Sequence, residues 1–404
     1  MPPDFDQRLR ALAEVVVRVG VNLQPGQPLL ITDPYDLHGV HPEALVLAEA
    51  IRSAALEAGC PHPAFEIVTA NPAALRALAE ANDRRGFDRL VSHHIRRLEQ
   101  HRARGGAFIF LTGSEPGLFH GLSPGRLTQF DQIKWRHLGP LIQKLIRGAT
   151  QWTLIPAPTG AWADLAYPDL PADQRRDALW RIVFESFRVD SFQPPSGHGT
   201  AGGLKILDAW REHVAVLASR CAGYNAARHR RIRYVGAGTD LILELPRFNR
   251  WCTSQLRSKR GVPFVVNLPT EEIFTAPHRH SAEGRVRVAR PVIHAGTAIE
   301  GIILEFMGGR VVAAQAATGQ DLLRQLLATD AGASRLGEVA IVPQTNVLSR
   351  ADRCFHNPIL DENAVSHIAL GEAYRFCSRA WLPLSLNSSQ IHVDLPLDAR
   401  VELS

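Results

Sequence analysis

Four carboxylates and two imidazoles, distributed between residues 272 and 394, have the composition of a two-metal hydrolase centre. Glu272 stands in NLPTEEIFTAP, Glu338 in RLGEVAIVP, Glu362 and His367 in LDENAVSHIALGEAY, and His392 and Asp394 in SSQIHVDLP. Two divalent ions bring four positive charges, which the four acids would neutralise. Neutral imidazoles beside carboxylate oxygens suit zinc, cobalt or a similar first-row metal.

The local spacing says how each group could be aimed. His392 and Asp394 sit two apart on an expected strand, so they share a face. The segment ENAVSHIALGEAY reads as a helix, which would stack His367 and Tyr374 on one side and leave Glu362 at or just before its N-terminus. Adjacent Glu271 and Glu272 would point to opposite sides of a strand, one as a ligand and the other as a base or outer partner. Each piece alone also fits a plainer role. HVD fits a surface strand, DENAVSH a solvent-facing helix capped by Asp361, Glu271 with Glu272 an exposed acidic pair, and Glu338 a helix-to-strand junction.

Rival chemistries fail on the letters. GLSPG at 121–125 matches a nucleophile elbow, but Pro124 follows the serine and has no N–H for an oxyanion hole. GAGTDL at 236–241 lacks the third glycine of a dinucleotide loop, and no GxxxxGK[ST] or HExxH occurs. His93, His94, His278 and His280 lie in polar runs and are expected in solvent. The balance of 45 basic and 40 acidic residues, +5, is too small to imply nucleic acid. The basic runs at 96–104 and 228–233 read as solvated faces. Five cysteines, with no CxxC spacing, indicate neither a disulfide framework nor a cysteine zinc site. The acidic, amphipathic start and the lack of a long apolar run imply a cytoplasmic protein with no membrane partner.

The elements that must carry these residues fall into two styles. Up to about residue 190, apolar strands (PLLITDP, FEIVTA, AFIFLTGSEP, QWTLIPAPT) alternate with helical stretches, which implies an α/β domain with a mainly parallel sheet. The Pro-, Gly- and Ser-rich stretch 191–203 is the candidate linker. After a helix over about 204–226, short β-rich runs separated by Gly and Pro turns imply an α+β domain. The expected division is therefore 1–195, α/β, and 196–404, α+β and bearing the dinuclear metal site.

The long blocks VGVNLQPGQPLLI, GAGTDLILELP, NLPTEEIFTAPHR, TDAGASRLGEVAIVP and DENAVSHIALGEAY, in that order, make the chain resemble the thermophilic metallo-aminopeptidases of the aminopeptidase T and S type. The resemblance implies two divalent ions (zinc, cobalt or magnesium), a homodimer, and hydrolysis of the N-terminal residue from peptides. By matching position it makes Glu272, Glu338, Glu362, His367, His392 and Asp394 the metal ligands, with Glu338 and Glu362 bridging. Tyr374 matches the catalytic tyrosine, expected to hydrogen-bond the tetrahedral oxyanion, and Glu271 is the expected general base. Two alternatives stay open. His367, His392 and Asp394 could hold one Fe(II) in a ring-cleaving dioxygenase on a related scaffold, although Glu272, Glu338 and Glu362 would then lack a task. A metal-binding homologue of weak turnover is the other, because FHNPILDENA and the C-terminal HVDLPLDARVELS depart from the family pattern.

Overall fold

Apolar runs bounded by turn residues become the strands of a four-stranded parallel sheet. In the computed structural model, which describes residues 4–61, 65–113, 115–189, 201–294, 297–381 and 384–404, these are β1 (Leu29–Thr32), β2 (Phe65–Ile67), β3 (Ala107–Thr112) and β4 (Trp152–Pro156). Their order is β2-β1-β3-β4 with every pair parallel. All residues of β1 and β3 are buried. That is why LLIT and AFIFLT read as continuous apolar runs rather than alternating ones. Two of the intervening helices, Pro72–Glu80 and Arg84–Ala103, start on side-chain caps: Asn71 accepts from the Ala74 N–H, with Pro72 in the first turn, and Asp83 accepts from the Gly86 N–H. Pro124 opens the helix Pro124–Ile146 directly after Ser123, so GLSPG is a helix start.

This sheet belongs to one of two compact units, Met1–Val214 with Ser254–Thr270; the other is Ala215–Thr253 with Glu271–Ser404. Residues 191–200 of the expected linker lie outside the described residues, and Ala201 begins the helix Ala201–Ala227. Among the described residues no helix is long and apolar enough to cross a membrane. All five cysteines are free.

One expectation in the first unit is corrected. His94 is buried rather than in solvent, with Nε2 3.3 Å from Thr32 Oγ1. Phe87, Val91, His94, Leu98 and His101 recur at helical spacing and are the inward face of the helix Arg84–Ala103. At the end of β1, Asp33 Oδ1 accepts the Tyr35 and Asp36 N–H groups, while Oδ2 is buried without a hydrogen-bond partner. Burial, reinforced by the Asp36 charge and only partly offset by the backbone N–H groups and Lys134, pushes the Asp33 carboxyl up to about 8. The folded protein therefore holds a proton that the unfolded chain releases nearer pH 4. That contribution to stability is complete at low pH and fades as pH rises towards 8. Asp33→Asn keeps the Oδ1 acceptor and removes the buried charge. Thermal unfolding is expected to show the variant several degrees more stable than wild type at pH 8, with the gap closing by pH 5.

The second unit holds a six-stranded antiparallel sheet in the order Arg310–Gln315, Ile303–Met307, Glu283–Arg287, Thr239–Glu244, Arg231–Gly236, Arg400–Leu403. GAGT is the turn of one of its hairpins, with Gly238 at φ 79°. A second antiparallel sheet is built from β5 (Ile273–Thr275), β6 (Leu336–Ile341), β7 (His367–Gly371) and β8 (His392–Pro396), in the order β8-β7-β6-β5. Its residues Val339, Ile368, Leu370 and Leu395 share one core with Ile232, Tyr234, Leu241, Leu243 and Val286 of the larger sheet.

The helix expected over ENAVSHIALGEAY is the main correction. Only Pro358–Glu362 is helical, and His367 opens strand β7. Asn357 caps the short helix, accepting from the Ile359 and Leu360 N–H groups, and the helix ends at Asn363. HIALG then pairs on both edges, with β6 and with β8. Those two ladders override the helix preference of Ala, Leu and Glu in the segment. Glu362 therefore ends a helix instead of beginning one, and Tyr374 lies beyond the strand, at the start of the short turn Arg375–Cys377.

Candidate metal centre

Strand register gathers the polar residues. Glu338 on β6 lies opposite Ala369 on β7, which lies opposite Asp394 on β8. His367 stands two residues before Ala369, and Gly371, two residues after it, lies opposite His392. Side chains alternate along a strand and match across a pair, so Glu338, His367, His392 and Asp394 project from one face, while Val339, Ile368, Leu370 and Leu395 enter the core from the other. Between the ligand-type groups, β7 offers only Ala369 and Gly371, so no bulky side chain separates them. Gly371 is at φ 100°, and an added Cβ there would come 2.1 Å from the Ile391 carbonyl oxygen.

The atoms form two triads, Glu272 with Glu338 and His367, and Glu338 with His392 and Asp394. His367 Nε2 is 3.3 Å from Glu272 Oε2, 3.6 Å from Glu338 Oε1 and 4.0 Å from Asp394 Oδ1. His392 Nε2 is 3.8 Å from Glu338 Oε2 and 3.4 Å from Asp394 Oδ1. Each carboxylate oxygen of Glu338 thus faces a different histidine. The other ring nitrogens are engaged by main-chain carbonyls: His367 Nδ1 is 3.3 Å from Val365 O, and His392 Nδ1 is 2.9 Å from Glu372 O. A carbonyl accepting Nδ1–H fixes the tautomer whose Nε2 lone pair is aimed into the cluster.

The remaining candidates surround this pair. Glu362 lies within hydrogen-bonding reach of Asp394. Its Oε1 accepts from Asn363 Nδ2 at 3.2 Å. Glu271 and Glu272 both precede β5 and both are buried, so neither is the solvent-facing partner of the other. The Glu271 N–H donates to Asn363 Oδ1 at 2.7 Å. Tyr374 is half-buried with its ring 5.1 Å from that of His392. The side chains of His367, Glu272 and Glu338 are sealed, whereas His392 and Asp394 keep 23% and 22% exposure. The open side of the centre is therefore the His392–Asp394 side. Asn363 escaped the sequence reading: it is wholly buried and joins Glu362, the Ile359 carbonyl and the Glu271 backbone. Only its adjacency to Glu362 could have marked it.

The charges demand cations. Burial, with the Glu338 and Asp394 charges, raises the Glu272 carboxyl to about 8 against the pull of His367. Burial alone would lower both imidazoles. The Glu338 hydrogen bond with the Glu272 and Asp394 charges outweighs it at His367, which rises to about 9, and the Asp394 hydrogen bond and charge do so at His392, which rises to about 10. Without metal, protons on the imidazoles supply the positive charge the carboxylates require. Glu272 Oε2 and Asp394 Oδ1 are nonetheless buried without a well-aligned hydrogen-bond donor, His367 Nε2 standing 3.3 Å from the first and His392 Nε2 3.4 Å from the second. Buried carboxyl oxygens that lack a well-aligned donor, beside Nε2 atoms aimed into the same cluster, fit divalent ions with nitrogen and oxygen ligands.

Fold and donor set together define a metallohydrolase class. The chain matches the model of the thermophilic metalloprotease family (M29) over residues 5–401. It is 33% identical to aminopeptidase T of Thermus thermophilus over 396 residues, covering 96% of this chain and 92% of that protein. It is 33% identical to aminopeptidase 2 of Geobacillus stearothermophilus over 399 residues, covering 96% and 91%. The solved structure of wild-type AmpT from Thermus thermophilus superposes with a TM-score of 0.84 at 30% identity, covering 99% of this chain and 98% of that one. The chain belongs to the M29 thermophilic metalloprotease family, and the protein is a metallo-aminopeptidase.

Proposed function

We propose that this enzyme hydrolyses the N-terminal residue from peptides at a centre of two divalent ions held by Glu272, Glu338, Glu362, His367, His392 and Asp394. The observation that carries the two-ion reading is Glu338, whose two oxygens face His367 and His392 and so belong to both triads. A single Fe(II) on His367, His392 and Asp394 would leave the buried charge of Glu272 and Glu338 uncompensated. Zinc or cobalt suits the mixed imidazole and carboxylate set, and magnesium its oxygens. A homodimer, as the family resemblance implies, and a cytoplasmic location, as the acidic, amphipathic start suggests, complete the reading.

Two ions bound there would supply an activated water and polarise the scissile carbonyl. The chain's own groups do the rest. Glu271 takes the proton of the attacking water and passes it to the leaving amine. The Tyr374 hydroxyl donates to the oxyanion as its charge develops. Asn363 fixes the Glu271 backbone and the Glu362 carboxylate relative to each other. The free α-amino group of the substrate would enter from the open His392–Asp394 side and be held by a metal or an acid there.

That preference gives the test. Leucyl peptides are expected to lose their first residue, and their N-acetylated counterparts to be uncut. Cleavage of the acetylated peptides at internal bonds would replace the aminopeptidase reading with an endopeptidase one.

Ion uptake must also expel the imidazole protons. Titrating zinc into metal-free protein at pH 7 in weak buffer is expected to release at least the two protons of His367 and His392, and apparent affinity should rise with pH. Uptake without proton release would contradict the assignment of these histidines.

A further inference from the structure

We propose that Phe376 is a positioning residue, which holds the Tyr374 ring at the metal centre. The proposal rests on the reading of Tyr374 as the oxyanion donor. Tyr374 lies past the end of β7, outside the ladders that fix the metal ligands, with extended backbone angles (φ −70°, ψ 118°) and no side-chain cap. Strand pairing does not orient its phenol, and three rings pack against it.

That packing is continuous from the core to a metal-ligand candidate. Phe376 stacks on Tyr374 with ring centres 5.2 Å apart and planes 6° from parallel. Phe274 sets its edge against both, at 6.1 Å from Tyr374 and 6.2 Å from Phe376. On the site side, the Tyr374 ring lies 5.1 Å from His392 at 31°. The far end is anchored, because Phe274 is buried in β5 and exchanges both main-chain hydrogen bonds with Cys252, at 2.8 and 3.0 Å. The turn is tied down by Cys377, whose N–H donates to the Tyr374 carbonyl and whose carbonyl accepts the Arg250 N–H.

A phenol pivots about two side-chain torsions, and its hydroxyl lies at the far end of that lever. Phe376 and His392 limit the swing from flanking rings, and Phe274 limits it from the edge. Removing the Phe376 ring while keeping apolar bulk, as in Phe376→Leu, frees the phenol without removing any group that touches the ions or the substrate. A displacement of about 1 Å at a reacting centre can cost about 100-fold in rate, so partial loosening should cost about 10-fold.

The experiment compares kcat and KM on leucine p-nitroanilide for metal-loaded wild type, Phe376→Leu, Phe376→Tyr, Tyr374→Phe and the double variant Tyr374→Phe/Phe376→Leu, with metal content measured on each. Phe376→Leu is expected to lower kcat about 10-fold with KM within about twofold and metal content intact. Phe376→Tyr, which keeps a stacking ring, should restore most of that loss. In the Tyr374→Phe background the leucine substitution should cost less than about twofold, because the hydroxyl it misplaces is already gone. Undiminished loss in the double variant, loss of metal in Phe376→Leu, or no rescue by Phe376→Tyr would each overturn the positioning role. If wild type cleaves no aminoacyl substrate, the function beneath the proposal fails with it; if wild type cleaves and Phe376→Leu equals it, the positioning role alone fails.

Discussion

Glu338→Gln is expected to abolish tight binding of both ions together and to lower kcat/KM by well over about 100-fold, the scale reached by losing only an outer partner of a ligand. The substitution preserves shape but removes the charge and one of the two acceptor oxygens. Those oxygens stand 3.6 Å from His367 Nε2 and 3.8 Å from His392 Nε2, so both halves of the centre are affected at once. Glu272→Gln is the informative comparison. Glu272 belongs to the His367 triad only, so its loss should weaken one ion while the His392–Asp394 side retains the other. Elemental analysis across a series of free zinc concentrations separates the two patterns. A Glu338→Gln protein that still binds two ions with wild-type affinity would remove the shared role of Glu338.

Tyr374→Phe is expected to lower kcat about 100- to 1000-fold with KM and metal content nearly unchanged, since an oxyanion donor acts mainly in the transition state. The phenyl ring that replaces it keeps the stack on Phe376 and the approach to His392, so the effect isolates the hydroxyl. Steady-state kinetics on the fully loaded protein measures it. Full turnover in this variant would leave Tyr374 as a packing residue only.

Much of this centre was legible in the chain because its signals are local. The continuous apolar runs LLIT and AFIFLT announce strands buried on both faces, and HVD shows two polar groups on one face of a strand. The summed charge of the acids argues for cations before any geometry is known. What was not legible is set by partners distant in sequence. HIALG carries residues that favour a helix, yet pairing with β6 and β8 makes it the central strand on which the site is built. His94 reads as polar in its tripeptide context but falls on the inward face of a long helix, where periodicity over the full element decides. Asn363 meets the backbone of Glu271, 92 residues away, and Phe376 meets Phe274 across the sheet edge. No spacing rule connects either pair.

The most direct test of the central claim is the number of divalent ions per chain at which aminopeptidase activity saturates, read by titrating zinc or cobalt into metal-free protein and following leucine p-nitroanilide cleavage. A rise that is complete only at the second equivalent is the predicted result, because Glu338 serves His367 and His392 alike. Full activity at one equivalent, with no further uptake, would contradict it.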